Sequence, residues 1–316
     1  MNAARFVTQA AEIALAVAVA PLLMGWVNQC RAWLQNKKGA GLLQPYRLLH
    51  KLFQKDAVIA SQASPLFRLT PYVQFAAMCL AAAIIPSLWT GLPFAAAADT
   101  IALVGLFATA RVFLALAAMD IGTAFGSLGA RREMLVGFLA EPALLMVFFT
   151  ASLISHSTSL PTIVDTLGQG HLAIYPSLAF AAIAFIMVLL AENARIPVDN
   201  PATHLELTMI HEATVLEYSA RHLALIEWSV ALKLFNYTCI GIALFLPWGI
   251  AGASADAGDR FLALPVAACK IAIAGAGLAV IEALNAKMRI FRAPEFLATA
   301  FLLAVLGLLV HLLLGS

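Results

Sequence analysis

The chain has 316 residues, of which 62% are hydrophobic and 11% are charged, and its formal net charge is +2. This composition excludes an ordinary soluble domain and indicates a polytopic membrane protein. The small net charge does not suggest a nucleic-acid partner, and membrane topology alone explains the basic loops.

Eight apolar runs are long enough to cross a bilayer, which requires roughly 20 residues. Because the backbone must satisfy its own hydrogen bonds in lipid, each run is predicted to be a helix. The first run is preceded by a weak basic segment, so we interpret it as a span and not as a signal peptide. The chain is therefore predicted to be all-α, a single membrane domain over residues 1–316. The predicted spans cover about residues 8–29, 71–90, 99–119, 134–155, 173–193, 228–250, 262–283 and 296–314.

The basic residues are distributed unevenly among the loops. Of the 19 Lys and Arg residues, 14 lie in the odd-numbered loops, two lie in the other loops and termini, and three lie within spans. The positive-inside rule then predicts that the odd-numbered loops are cytoplasmic and that both termini are outside.

The first cytoplasmic loop, at 30–70, contains a predicted amphipathic helix in LLQPYRLLHKLFQKDAV, with Pro45 near its start. A second face of this helix carries Arg47, Lys51 and Lys55. Such a helix lies at the lipid headgroups or docks beneath a soluble acidic partner. The sequence leaves both interpretations open.

The loop after span three contains Gly122, Gly126 and Gly129. Glycines permit tight turns and close backbone approach. The Lys-Ser/Thr pair of a P-loop is missing, so nucleotide binding is not supported. The pattern favours a packed interface with a neighbouring subunit.

A carboxylate, Glu141, lies inside span four and is followed by Pro142, which frees the carbonyl of Phe138. A carboxylate beside an unsatisfied carbonyl can hold water. One interpretation is a stabilising ion pair with Arg111 of span three. The other is a proton-carrying site, because intramembrane carboxylates mark such relays. The two overlap, since an ion pair can be part of a relay.

Span five ends at Glu192, and Arg195 and Asp199 follow it in AENARIPVD. Because Pro197 breaks the helix between them, Arg195 and Asp199 are predicted to pair across a turn. A charged residue at membrane depth is costly, which makes this segment the main functional candidate.

The cytoplasmic segment at 194–227 continues with a predicted helix over about residues 203–222, which carries Glu206 and Glu212. Two histidines seven residues apart share a face of this helix. The sequence HEATV lacks the second histidine of a zinc protease, so a metal site is not supported.

Two lysines, Lys233 and Lys270, lie several turns from either surface in spans six and seven. Each is predicted to have a carboxylate or hydroxyl partner. Glu282, near the end of span seven, fits a surface role or a buried one. If spans four and five are neighbours, their acids form a line that enters the bilayer from the cytoplasm and could serve as a proton path or coupling line. Burial and two arginines would tune the pKa values of these acids. The members of this line are the acids Glu141, Glu192, Asp199, Glu206 and Glu212 and the basic residues Arg111, Arg195 and Lys233.

Four cysteines are scattered singly, so the chain cannot hold an iron–sulfur cluster or a zinc site unaided. Any redox centre is expected in a partner subunit. No hydrolase set or nucleotide fingerprint stands out, so the chain is interpreted as a non-catalytic subunit of an oxidoreductase complex.

Four stretches resemble one known family, the membrane subunit 1 of respiratory complex I and its relatives in the group 4 membrane-bound nickel-iron hydrogenases. They are KKGAGLLQPYRLLHKLFQKD, FRLTPY, the GARREM region with Glu141 and Pro142, and AENARIPVD. The last is similar to the family signature Ala-Glu-x-x-Arg-x-Pro-Phe-Asp, with Val198 in place of Phe. NPATHLELTMIHEA resembles the formate hydrogenlyase and hydrogenase-4 branch.

The resemblance implies contacts with the soluble large and small hydrogenase subunits and with antiporter-like membrane subunits. It also implies a coupling role in proton or sodium movement, and a nickel-iron centre and iron–sulfur clusters in the partners. The implied location is a bacterial or archaeal cytoplasmic (inner) membrane.

Quinone-reducing relatives typically carry glutamates where this chain has Ala202 and His204, while Glu206 is retained. This departure disfavours quinone binding and weakens the transfer of the full acidic path. The alternative is the quinone-site subunit of a complex I-like dehydrogenase. A stand-alone transporter would show repeats and helices broken at the midplane, which are not seen. A purely structural anchor would tolerate glutamine at Glu141 and Glu192.

Overall fold

A computed structural model describes residues 2–91, 93–94, 98–169, 176–199, 209–252, 255, 257–286, 288 and 292–314. Within these ranges the chain is helical, with only two isolated bridges between loops. The helices are α1 (Asn2–Leu34), α2 (Gln44–Phe53), α3 (Pro65–Ile84), α4 (Thr100–Asp120), α5 (Ala124–Ser155), α6 (Leu160–Gln169), α7 (Pro176–Glu192), α8 (His211–Val215), α9 (Ala220–Phe245), α10 (Ala257–Leu284) and α11 (Ala293–Leu314).

The predicted all-α membrane fold is confirmed. Seven helices of the described part are long and apolar enough to cross a membrane, and they correspond to seven of the eight predicted spans. The predicted fifth span is the shorter α7, whose 17 residues still extend about 26 Å. Helix α6 was not predicted from the sequence. At 10 residues it is too short to span.

The bundle has two ends, which the loops define. The basic end carries α2, α8 and the loops that follow α4, α7 and α10. The distal end carries α6, the start of α1 and the loops that follow α3 and α9. A bridge between Trp89 and Ala251 joins two distal loops. A hydrogen bond of 2.9 Å from the Ser64 amide to Asp120 joins two basic-end segments.

The predicted amphipathic helix is present as α2. It buries Leu49 and Leu52 against Ala224 of α9, and Phe53 meets Trp228 edge-on. Of the basic residues predicted on its other face, Arg47 and Lys51 are exposed on α2, and Lys55 is exposed two residues beyond its end.

The continuous helix predicted for 203–222 is wrong for its described part, since residues 200–208 lie outside the described ranges. The short α8 ends at Val215, and α9 begins only at Ala220. Long-range contacts hold the intervening residues in another conformation. The Tyr218 ring stacks on Phe67 at 4.0 Å, and the Ser219 hydroxyl donates to the carbonyl of Val58 at 2.7 Å.

The glycines after span three also differ from expectation, because Gly126 and Gly129 lie inside α5. A Cβ at Gly129 would be 2.8 Å from that of Ala213. The close approach therefore occurs within this chain, between α5 and α8. Gly122 does occupy a turn, with a φ of 75°.

The carboxylate or hydroxyl partner predicted for Lys270 is wrong. Its ammonium donates to the carbonyls of Leu246, at 2.5 Å, and Trp248. Carbonyls at a helix C-terminus have no partner within the helix, so a lysine from α10 satisfies the end of α9.

Candidate functional site

A single arginine joins three helices at the centre of the candidate site. The Arg111 guanidinium, on α4, forms ion pairs with Glu141 of α5 and with Glu192 at the end of α7. Its Nε lies 3.8 Å from a carboxylate oxygen of Glu133. The Arg111 side chain is only 3% exposed, and it lies nine residues, about 14 Å of helix, before the end of α4. Predicted spans four and five are neighbours, and their acids meet at this arginine.

The Glu192 carboxylate has a second cationic partner, Lys233 of α9, whose Nζ lies 2.9 Å from Oε2. This confirms the carboxylate partner predicted for Lys233. The buried phenol of Tyr237, one turn further along α9, also interacts with Glu192. Glu192 is only 1% exposed at its side chain. A carboxylate buried this deeply needs such partners, because an unpaired buried charge is very costly.

Gly137 of α5 provides the space that the guanidinium occupies. A Cβ at this position would lie 2.1 Å from Nη1 of Arg111 and 2.6 Å from its Cζ. Real Cβ contacts are essentially never that short. Gly137 therefore lets Arg111 lie against the α5 backbone, between Glu133 and Glu141, which precede and follow it by one turn.

A small cavity of about 30 Å³ adjoins the cluster, lined among others by Glu133, Glu192, Lys233 and His211. Three other lining residues have a buried polar atom with no hydrogen-bond partner in the described part of the chain: Gln74 Oε1, Arg111 Nε and Asn193 Oδ1. A water molecule needs roughly 10–15 Å³ and two to four polar partners. The cavity thus has the size and polar groups to bind one or two water molecules.

The cap that follows the last turn of α7 fixes the position of Glu192. The Arg195 amide donates to the carbonyl of Leu190 at 2.8 Å, and Ala194 has a φ of 49°. This is the bond pattern of a Schellman cap, which normally has glycine at the left-handed position. Alanine there costs about 1–2 kcal/mol, which the surrounding contacts must offset.

The predicted pair between Arg195 and Asp199 is replaced by another. Arg195 pairs with Glu282 of α10 at 3.1 Å, and Glu282 also pairs with Arg31 of α1 at 3.3 Å. Burial lowers the pKa of the Arg195 guanidinium, Glu282 opposes this effect, and Arg31 adds to it. Of the two roles open for Glu282, the structure shows the buried one, since its side chain is 0% exposed.

We expect Glu282→Gln to lower the free energy of unfolding by about 3 kcal/mol, because it leaves Arg195 and Arg31 facing each other unpaired. Unfolding of the purified protein in mixed detergent micelles measures this loss. Glu295→Gln, at an exposed position of α11, is the matched control and should change stability little. Equal stability of the two variants would contradict the assignment.

Two other predicted site residues, Asp199 and Glu212, lie near the basic end, outside the Arg111 cluster. One carboxylate oxygen of Asp199 accepts the amides of Ile210 and His211, each at 3.2 Å. Glu212 follows on α8. Glu206 lies outside the described residues.

Sequence reasoning missed several contributors to the site. Glu133, Gly137 and Glu141 recur every four residues, so helical periodicity could have placed them on one face of α5. His211 was considered only as a metal ligand, although it lines the cavity. A carboxylate inside the first predicted span, Glu12, was also overlooked.

Comparison with known proteins agrees with this architecture. Residues 8–313 match the family described as NADH dehydrogenase. The chain belongs to the NADH dehydrogenase family. The resemblance to complex I subunit 1 that the sequence motifs indicated is thereby confirmed.

Two relatives from Escherichia coli (strain K12) indicate the branch of the family. The chain is 33% identical over 290 residues to formate hydrogenlyase subunit 4, an alignment that covers 92% of this chain and 93% of the relative. It is 35% identical over 240 residues to hydrogenase-4 component C, with 76% and 75% covered. The similarity to the formate hydrogenlyase and hydrogenase-4 branch is confirmed.

The same fold occurs in the membrane-bound sulfane sulfur reductase, an archaeal respiratory membrane complex. A chain of that structure superimposes with a TM-score of 0.83 at 20% identity, covering 97% of this chain and 99% of that one. At this identity the likeness concerns the fold alone.

Proposed function

We propose that this chain is the membrane-anchoring and ion-coupling subunit of a formate hydrogenlyase or hydrogenase-4 type complex. It would link a soluble redox arm to proton or sodium movement in the cytoplasmic membrane of a bacterium or archaeon. The observation that carries the proposal is the buried ion cluster in which Glu192 lies between Arg111 and Lys233. The two relatives, components of formate hydrogenlyase and hydrogenase-4, support the choice of complex.

The cluster is suited to coupling because Glu192 has cationic partners on two different helices. Protonation of Glu192 would release Lys233, while Arg111 would keep its pairs with Glu141 and Glu133. Such an exchange moves charge within the membrane without leaving an uncompensated carboxylate. The small polar cavity beside Glu192 would supply water for the proton transfer.

A short segment links Glu192 to the basic end. Residues 193–199 contain Arg195, which is fixed to α10, and Asp199, which binds the start of α8. A displacement of α8 or of this segment by a partner would act directly on the end of α7, and so on Glu192. We propose that redox changes in the soluble arm reach the cluster by this route.

The basic end is the proposed docking surface for the soluble large and small hydrogenase subunits. It carries the exposed basic residues of α2 and the proposed cytoplasmic segments 30–70 and 194–227 of a single membrane domain. By the positive-inside rule, the basic residues there support a cytoplasmic location for this end and an outside location for both termini. Antiporter-like membrane subunits would contact lateral faces, and the nickel-iron and iron–sulfur centres would lie in the partners.

The quinone-site alternative requires a lipid-accessible cavity near α1 and α9 that leads to a redox cluster at the basic end. A cavity between α1, α9 and α10 does exist, but it lies toward the distal end. A hydrogen bond of 2.9 Å from the Trp26 indole to the Ala272 carbonyl joins α1 and α10 between that cavity and the basic end. This geometry favours the hydrogenase proposal.

Purification of the intact complex through a tag on this chain tests which complex it belongs to. Metal analysis, hydrogen evolution and quinone reduction are measured on the same sample. We expect nickel and hydrogen evolution. Quinone reduction without nickel would overturn the hydrogenase proposal in favour of the dehydrogenase alternative.

A further inference from the structure

A second cavity, far from the Arg111 cluster, opens between α1 and α10 at the distal end. Its volume is about 360 Å³, within the size range of small-molecule sites. The lining is almost entirely apolar and runs down the two helices from Glu12 to Val19 and from Leu264 to Ile271. Seven residues of helix correspond to about 10 Å of depth.

Among the described lining residues, the one carboxylate belongs to Glu12, which lies at the level where α3 ends. Its Oε1 accepts the Leu88 amide at 3.1 Å and the hydroxyl of Ser87. Its Oε2 is buried and has no hydrogen-bond partner among the residues that the structure describes. Glu12 is 3% exposed. A buried carboxylate with one oxygen unpaired calls for a donor or a cation beside it.

The volume and the apolar lining of the cavity suit a hydrocarbon chain. Leu15, which lines the cavity, is 41% exposed, so the site is accessible from the membrane side of the bundle.

The charges around the cavity determine which lipid headgroup it can bind. None of the described residues that line the cavity is basic, and Glu12 is acidic, so an anionic group alone would be repelled. Arg260 lies one turn before Leu264 on the same face of α10, on the distal side of the cavity lining, and is exposed. The site therefore offers a carboxylate for an ammonium group and a nearby arginine for a phosphate.

We propose that this cavity binds a zwitterionic aminophospholipid of the outer leaflet. The ammonium group would donate to Oε2 of Glu12, the phosphate would meet Arg260, and one acyl chain would occupy the cleft between α1 and α10. Because α10 packs on the bundle chiefly through α1, such a lipid would act as part of the contact that holds it.

The experiment uses the intact complex purified through a tag on this chain, stripped of lipid by detergent and then incubated with vesicles of a single phospholipid. Native mass spectrometry measures retained lipid for phosphatidylethanolamine, phosphatidylcholine and phosphatidylglycerol. We expect selective retention of phosphatidylethanolamine, because choline has no N–H to donate and phosphatidylglycerol is anionic.

Two variants and a matched control assign the site. Glu12→Gln should lower phosphatidylethanolamine retention about tenfold or more, the factor that a charge-assisted hydrogen bond contributes. Ala268→Trp fills the cavity from α10 while keeping the Glu12 carboxylate, and should abolish retention. Gly277→Trp introduces the same side chain on α10 at a position where an added Cβ meets no neighbouring element within 4 Å, and should retain the lipid.

A photo-crosslinking residue in place of Leu264 identifies the occupant in the assembled complex. A phosphatidylethanolamine adduct supports the proposal. An adduct with a partner polypeptide or a quinone would overturn it, as would equal retention of phosphatidylglycerol or equal losses in Ala268→Trp and Gly277→Trp. None of these results depends on hydrogen evolution or ion coupling.

Discussion

Replacing Arg111 with methionine is expected to lower the free energy of unfolding by about 3–5 kcal/mol, the cost of breaking a buried ion pair from one side. Methionine keeps much of the side-chain volume but leaves Glu141 and Glu133 without their cation. Glu192 would retain Lys233 alone. The measurement is detergent unfolding of the purified protein, together with the yield of assembled complex from membranes.

Arg111→Lys separates the contribution of charge from that of shape. A lysine keeps the positive charge but lacks the planar guanidinium that reaches several carboxylates at once, so an intermediate loss of stability is expected. Arg131→Met removes an exposed arginine near the start of α5 and should change little. Native stability of Arg111→Met would show that the cluster is not held by this arginine.

The second large effect is expected at Gly137. In an ordinary helix interior, alanine stabilises by roughly 0.5–1 kcal/mol relative to glycine. At Gly137 the added Cβ would collide with the Arg111 guanidinium at 2.1 Å. Arg111 would have to leave its carboxylates, so we expect Gly137→Ala to destabilise the protein and to impair coupling. Unfolding in mixed micelles and ion transport by the assembled complex measure the two losses.

Gly105→Ala is the matched control, because Gly105 lies on the same helix as Arg111 and an added Cβ there meets nothing within 4 Å. Gly105→Ala should raise the free energy of unfolding slightly, because alanine has a higher helix propensity than glycine. The opposite signs of the two substitutions distinguish a steric requirement from a general effect of glycine. A stabilising Gly137→Ala would show that Arg111 relaxes without cost.

The fold was largely predictable because hydropathy alone encodes membrane spans. The apolar runs and charged loops predicted the seven spanning helices, the shorter α7 and the amphipathic α2. The break between α8 and α9 was not predictable, because it depends on contacts of Tyr218 and Ser219 with residues more than 150 positions away.

The sequence predicted several of the residues that belong to the site but not how they pair. Intramembrane charges marked Glu141, Glu192 and Lys233 as candidates, since such residues are costly and need partners. Which charge pairs with which depends on helix packing. Glu192 pairs with an arginine 81 positions earlier in the chain. Lys270 donates to backbone carbonyls and not to the predicted carboxylate or hydroxyl. Local spacing suggested a pair between Arg195 and Asp199, but the α10 carboxylate lies closer in space.

The central claim is that the Glu192 cluster couples electron transfer to ion movement. The most direct test is Glu192→Gln in the assembled complex, reconstituted in vesicles, with hydrogen evolution and ion transport recorded together. Glu295→Gln serves as the control, and subunit content is verified in every sample. We predict that Glu192→Gln retains hydrogen evolution while ion transport falls to background. An assembled Glu192→Gln complex that moves as many ions per electron as the control would contradict the account.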